Sequence, residues 1–194
     1  NAPPTFAGVS AAVVSVVALF ASPVFSSGFG SLEKKPRAMR TDTSGRLGIL
    51  ISSRLKFGDF CSQQPGMATA MINLANAGVW ICIAAGNDNL NSDFFSPACF
   101  NYKRVFTVAA VDCQNQCAPF TNLGSSVDWY AVGVNVYSTY KDGGYTTLSG
   151  TSMSTPVVAG IVHSRGQAPI RGPEITCQLP FLNVITTKPL ARRQ

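Results

Sequence analysis

One serine in this sequence has surroundings suited to nucleophilic chemistry. It lies in Gly150-Thr151-Ser152-Met153-Ser154-Thr155-Pro156, which continues as Val157-Val158-Ala159-Gly160. A small-residue turn here opens a predicted helix and sets Ser152 at its N-terminus. Gly150 lets the backbone turn tightly. The free N–H groups and positive end of a helix stabilise an oxyanion formed beside such a serine. Pro156 suits a first helical turn, where its missing N–H has no partner to lose. Ala159 and Gly160 allow close packing. A bare Thr-Ser pair would read as an ordinary helix cap, but the length of this string argues for more. A second polar cluster, Ala84-Ala85-Gly86-Asn87-Asp88-Asn89, falls at the end of a predicted strand. Taken alone, it is turn chemistry.

The elements that position these groups follow from apolar runs and their punctuation. Leu47–Ser52 suits a short strand, and Gly58–Gly66 a loop. Met67–Ala77 has helical spacing at Met67, Met71, Leu74 and Ala75, with Gly78 as its stop. Val79–Ala85, Val105–Val111, Val127–Val132 and Val134–Tyr140 read as strands. The helix from Ser152 is expected to run to His163 or Ser164, with Gly166 beyond. A helix leading tightly into a buried β-branched strand is a crossover unit, and its repetition gives a parallel sheet covered by helices. The fold class is therefore α/β. Residues 1–46 read as an irregular N-terminal segment, and no boundary is evident after residue 47.

The bulk figures agree. Hydrophobic residues make up 46% and charged residues 12%, which excludes a disordered chain. The net charge of +6 comes from scattered residues, apart from Lys34, Lys35, Arg37, Arg40 and the tail pair Arg192 and Arg193. Nothing gathers them on one element with aromatics, so no nucleic-acid partner is expected. Ala7–Phe25 is apolar or small throughout and reaches the lower edge of a membrane span. It is interrupted by Ser10, Ser15, Ser22 and Pro23, has no basic region before it, and is rich in valine. A buried strand around Val13–Leu19 is preferred over a span or signal remnant. Of the six cysteines, Cys82 reads as a buried thiol, and Cys113 and Cys117 are placed to close a small loop. The even count suggests an oxidising compartment, hence a secreted or extracellular protein. Six cysteines allow fifteen pairings, and the spacing does not choose among them.

Gly-Thr-Ser-Met-x-x-Pro-x-x-x-Gly at positions 150–160 resembles the nucleophile motif of the subtilisin-like serine peptidases, the subtilases. Ala84–Asn89 is similar to their oxyanion segment. Ser96-Pro97-Ala98, Val108–Asp112, Phe120-Thr121-Asn122-Leu123-Gly124 and Val132-Gly133-Val134 follow in the family order, nearest the proteinase-K-like branch. The resemblance implies a subtilisin-like parallel sheet flanked by helices in three layers, here N-terminally truncated, with residues 47–194 as the C-terminal part of the catalytic domain. It implies Ser152 as nucleophile, Asn87 as oxyanion donor, and Ala84, Ala85 and Gly86 as part of the S1 wall. Leu55-Lys56-Phe57-Gly58 stands where the family has its substrate-binding strand, so Phe57 and Gly58 would pair with substrate backbone, although Asp59 departs from the pattern. Asp128 stands where proteinase-K-like enzymes place a ligand for structural calcium, with backbone carbonyls near Asn101–Arg104; a plain surface-turn aspartate is the other reading. No cofactor is required for the chemistry.

The mechanism of the family also needs a histidine base and an aspartate to orient it. The only histidine is His163, three helical turns after Ser152 and about 16 Å away. It cannot serve that serine. Asp42-Thr43-Ser44-Gly45 is superficially like the aspartate motif but lies in the wrong place. Phe6–Ser10 resembles the stretch that the family carries just after its histidine segment, so the chain is expected to begin just downstream of the base. The expectation is a serine endopeptidase of subtilase type, acting on polypeptide, monomeric and not membrane-bound, yet inactive as this chain alone. The alternative is a catalytically dead peptide-binding pseudoenzyme.

Overall fold

The computed structural model describes residues 48–51, 61, 65–179 and 182–194, with residues 48–51 described as backbone. The proposed strand at residues 13–19, the Asp42–Gly45 turn and the substrate strand with Phe57 and Gly58 lie outside the described residues. A six-stranded sheet has the order β1-β2-β3-β4-β8-β7. Its members are β1 (Gly48–Ile51), β2 (Trp80–Ala84), β3 (Val105–Val111), β4 (Val127–Val132), β7 (Ile170–Leu179) and β8 (Val184–Arg192). The pairs β1–β2, β2–β3, β3–β4 and β4–β8 are parallel, and β7 is antiparallel to β8. A separate two-stranded hairpin joins β5 (Val136–Thr139) to β6 (Tyr145–Leu148).

Helices cover both faces, as the apolar runs of β2 and β3 require. Successive strand residues point to opposite sides. Ile81 and Ile83 of β2 pack with Met71 and Ala75 of α1 (Pro65–Asn76), together with Ala98 and Val105. Cys82 lies in the other layer with Val108, Trp129 and Ala131, against Val158, Ala159 and Val162 of α2 (Thr151–Arg165). The expected arrangement of a sheet between helical layers is thus present. Helix α1 starts two residues earlier than the spacing suggested because Pro65 fits a first helical position. Its end is closed by N–H groups of Gly78 and Val79 bonded to the carbonyls of Ala75 and Leu74.

Three expectations need correction. Pro156 is not in the first turn: α2 begins at Thr151, so the proline is its sixth residue. Its missing N–H deprives the Ser152 carbonyl of the usual donor four residues on. Cys113 and Cys117 do not close a loop. Cys117 pairs with Cys177 and Cys61 with Cys99, while Cys113 is a free, exposed thiol. The small loop instead closes by hydrogen bonds, with Asp112 N–H bonded to the Gln116 carbonyl and both Gln114 and Gln116 N–H bonded to the Asp112 carboxylate. Arg192 belongs to β8 rather than to a tail. Cys82 is the buried free thiol expected, and burial pushes its pKa up to about 12.

Candidate active site

The site forms where the C-terminal ends of β2 and β4 meet the N-terminus of α2. Strand β2 ends at Ala84, and Ala85 N–H still reaches the Val108 carbonyl at 3.0 Å. Ala84, Ala85 and Gly86 are buried, and the chain emerges at the exposed Asn87. On the other side, β4 runs into Gly133, whose N–H bonds to the Val111 carbonyl at 2.8 Å and whose carbonyl accepts Gly150 N–H at 2.7 Å. That pair of bonds fixes the start of α2 against the sheet. A Cβ at Gly133 would stand 2.7 Å from both the Gly150 carbonyl oxygen and Ser154 Oγ, so only glycine permits this approach.

Thr151 ties the two halves together. Its N–H donates to Asn87 Oδ1 at 2.8 Å, and its hydroxyl donates to the same oxygen at 2.9 Å. The hydroxyl oxygen accepts Gly86 N–H at 3.2 Å. A backbone N–H can only donate, so the amide oxygen of Asn87 must be the atom that faces Thr151. The Nδ2 end is left for another acceptor, and it lies 3.4 Å from the point where a side chain on Gly150 would begin. Ser152, half-buried, follows as the second residue of α2. A carboxamide and the positive end of a helix therefore stand near a serine. Chemically this suits a negative oxygen formed next to Ser152.

The loop that carries Asn87 is held from below by Asn122. Its Oδ1 accepts Asp88 and Leu90 N–H, each at 2.9 Å, and its Nδ2 donates to the Ala85 carbonyl at 3.1 Å. Gly86 has φ +110°, and a Cβ there would collide with Asn122 Nδ2. Sequence reasoning singles out the Phe120–Gly124 segment but gives Asn122 no task, and it reaches Thr151 only as part of the nucleophile motif. For both, the signal is a polar residue embedded in a motif, and the partner lies 32 to 65 residues away in sequence.

The other predicted site residues separate. His163 is exposed on α2, too far along the helix axis to reach Ser152. Asp128 does not lie in a surface turn. It sits in β4, where its Oδ2 accepts Thr107 N–H at 2.8 Å at the point where the β3–β4 register shifts. The carboxylate thus replaces a ladder acceptor. Burial raises its pKa to about 6, against the Thr107 N–H and the Lys188 charge, which both lower it. A buried carboxylate is the kind of oxygen ligand that a hard cation takes. The carbonyls of Tyr102 and Arg104 accept Val105 and Ile81 N–H, and each keeps a second lone pair. Among the described residues, no three His, Cys, Asp or Glu side chains gather into a metal cluster.

A parallel sheet between helices, with a serine at a helix start near a strand-end asparagine, is an arrangement shared by serine hydrolases of α/β type. The model of the Subtilase family, Peptidase S8, matches residues 13–164, and the chain belongs to this family of serine peptidases. It is 44% identical over 107 residues to a subtilisin-like protease of Coccidioides posadasii, covering 55% of this chain and 26% of that protein. It is 44% identical over 92 residues to the subtilisin-like serine protease Pen c 1 of Penicillium citrinum, covering 47% and 23%. Among solved structures, a cold adapted subtilisin-like serine proteinase shares 34% identity with a TM-score of 0.53, over 60% of this chain and 40% of that one. The chain thus spans about a quarter of the length of the curated relatives it matches. The family match ends at Ser164, so the β7–β8 hairpin lies beyond it.

Proposed function

We propose that Ser152 is the nucleophile of a serine endopeptidase that cleaves polypeptides. The Ser152 oxygen attacks the peptide carbonyl carbon and its proton passes to a base. The carbonyl oxygen becomes an oxyanion, held by Asn87 Nδ2 and the Ser152 N–H. Collapse breaks the C–N bond as the base passes its proton to the leaving amine, and water then hydrolyses the acyl-enzyme to the product acid and restores the serine hydroxyl. Phe57 and Gly58 would pair with substrate backbone, and the buried run Ala84, Ala85 and Gly86 would back the pocket for the residue before the scissile bond. The observation that carries this reading is the Asn87 carboxamide, turned by Thr151 so that its donor end lies beside the helix start.

The 194 residues contain one histidine, and it is out of reach, so this chain alone is expected to be unreactive. That same observation supports the second reading, a peptide-binding module without catalysis. Mass spectrometry after incubation with a fluorophosphonate separates them, with Ser152→Ala as control and added imidazole as a substitute base. No adduct without imidazole and a slow Ser152-dependent adduct with it support the nucleophile reading. No adduct under either condition, in folded protein, favours the binding module. An adduct without imidazole overturns the claim of inactivity. The two disulfides support a secreted protein, and among the described residues no helix is long and apolar enough to cross a membrane. The protein is proposed to be monomeric. A structural calcium would be held by Asp128 and carbonyls near Asn101–Arg104, adding stability and no chemistry. Calcium should raise the melting temperature of the parent chain and leave Asp128→Asn unchanged.

A further inference from the structure

We infer that Asn122 is the positioning residue for Asn87, setting the oxyanion donor through the loop rather than by touching substrate; this rests on the oxyanion reading of Asn87. The exposed Asn87 side chain sits at the crest of a loop with few anchors of its own. Asn122, 2% exposed, supplies them. Its amide satisfies three backbone groups of residues 85–90: the Ala85 carbonyl before the crest, and the Asp88 and Leu90 N–H groups after it. Its own N–H bonds to the Gly86 carbonyl at 3.0 Å. Neighbours extend the clamp, with Asn89 N–H bonded to the Phe120 carbonyl and Leu123 N–H to the Leu90 carbonyl. The clamp therefore grips both sides of Asn87 and leaves the side chain itself to Thr151. The geometry demands a short side chain with an acceptor and a donor on one planar group. Asparagine meets that demand; serine lacks the paired reach, and glutamine is too long for a buried position packed under Gly86.

The test reads the Asn87 side chain directly. In the 15N-labelled chain, the Asn87 Nδ2 signals are assigned by their loss in Asn87→Ala. Their heteronuclear NOE should approach backbone values in the parent chain and fall, in Asn122→Ser, to that of the exposed Asn101 side chain. An unchanged NOE in folded Asn122→Ser overturns the inference, as does an Asn87 amide that is already mobile in the parent. Should Asn122→Ser fail to fold, Asn122→Asp, which keeps the acceptors and loses the donor, is read in the same way. Amide hydrogen exchange of the parent gives an independent arm. Protection of Asp88 and Leu90 is required, and exchange at free-loop rates overturns the inference. Adding a peptide boronic acid to the parent then tests the underlying reading. A shift of the Asn87 Nδ2 signals supports an oxyanion role. No shift, with the Asn122 effect intact, removes that role and leaves the clamp standing.

Discussion

Replacing Thr151 by valine isolates the link between the two halves of the site. Valine nearly matches threonine in volume, so the buried position is left without a cavity. The substitution deletes the hydroxyl, with its bond to Asn87 Oδ1 at 2.9 Å and its acceptance of Gly86 N–H at 3.2 Å. Asn87 Oδ1 keeps the Thr151 N–H, so the larger penalty falls on Gly86, whose buried N–H loses its partner. Leaving such a donor unpaired costs roughly 1–3 kcal/mol. A loss of about 2 kcal/mol lowers the melting temperature by about 4–8 °C in a chain of this size. Thr151→Ser retains both bonds and deletes one methyl, about 1 kcal/mol or less. The expected order of stability is therefore parent, then serine, then valine. Urea unfolding followed by fluorescence of Trp80 and Trp129 measures it, provided that m is unchanged between variants. If the valine variant proves more stable than the serine variant, apolar packing and not the hydroxyl network holds the helix start, and the reasoning fails.

Other perturbations have distinct signatures. Gly86→Ala forces a side chain into φ +110° and onto Asn122, and should destabilise by about 2 kcal/mol or more, read by the same urea curves. Removing the 60-residue link between Cys117 and Cys177 by paired serine substitutions should cost about 2–4 kcal/mol, visible as a lower urea midpoint. In calcium-free buffer with chelator, Asp128 titrates near 6 in the folded chain, above its ordinary 3.8. The folded state then binds more protons than the unfolded one between those values, so stability falls as pH rises from about 4 to 6, by about 3 kcal/mol. Asp128→Asn should flatten that stretch of the stability–pH curve. Asp93 acts with the opposite sign. Burial raises its pKa, but the N–H and hydroxyl groups of Ser126 and Ser125 outweigh it and leave the pKa lowered. Its stabilisation is present above the ordinary carboxylate range and is lost on acidification, and Asp93→Asn should lessen that acid sensitivity in pH-dependent melts.

The parts of this fold that are legible in sequence are those where one physical signal dominates. Strand β2 is a continuous apolar run, β3 and β4 are largely buried and apolar but for Thr107 in the one and Asp128 in the other, and the nucleophile string is long enough to specify a turn, a helix and a serine together. The β7–β8 hairpin carries a weaker signal. Ile175, Cys177 and Leu179 alternate as buried residues with exposed Thr176 and Gln178, a true two-residue period, but Pro173 and the basic flanks obscure it. On β8 the pattern inverts: Thr186 is buried and Ile185 is 62% exposed. The reason is polar. Thr186 accepts Gly124 N–H with its hydroxyl and the Tyr130 hydroxyl with its carbonyl, so hydrophobicity alone misplaces the strand. The disulfides are illegible for a different reason, since Cys117 and Cys177 stand 60 residues apart in sequence and are brought together by the tertiary fold.

The same distinction governs the site. Asn87, Asn122 and Thr151 come from three separate segments, and each is ordinary as a local turn or cap. They become a site through a constraint on direction: backbone N–H groups donate only, so every carboxamide they touch must present its oxygen. Thr151 and Gly150 fix the helix start, Asn122 fixes the strand-end loop, and Asn87 between them has one orientation left, with its donor outward. In the proposed mechanism, Asn87 and Ser152 would hold the oxyanion from the end of β2 and the start of α2. His163 shares a face of α2 with Ser152 but lies about three turns, roughly 16 Å, further along the axis. In the proposed mechanism, the donors that hold negative charge are thus preorganised by these three segments.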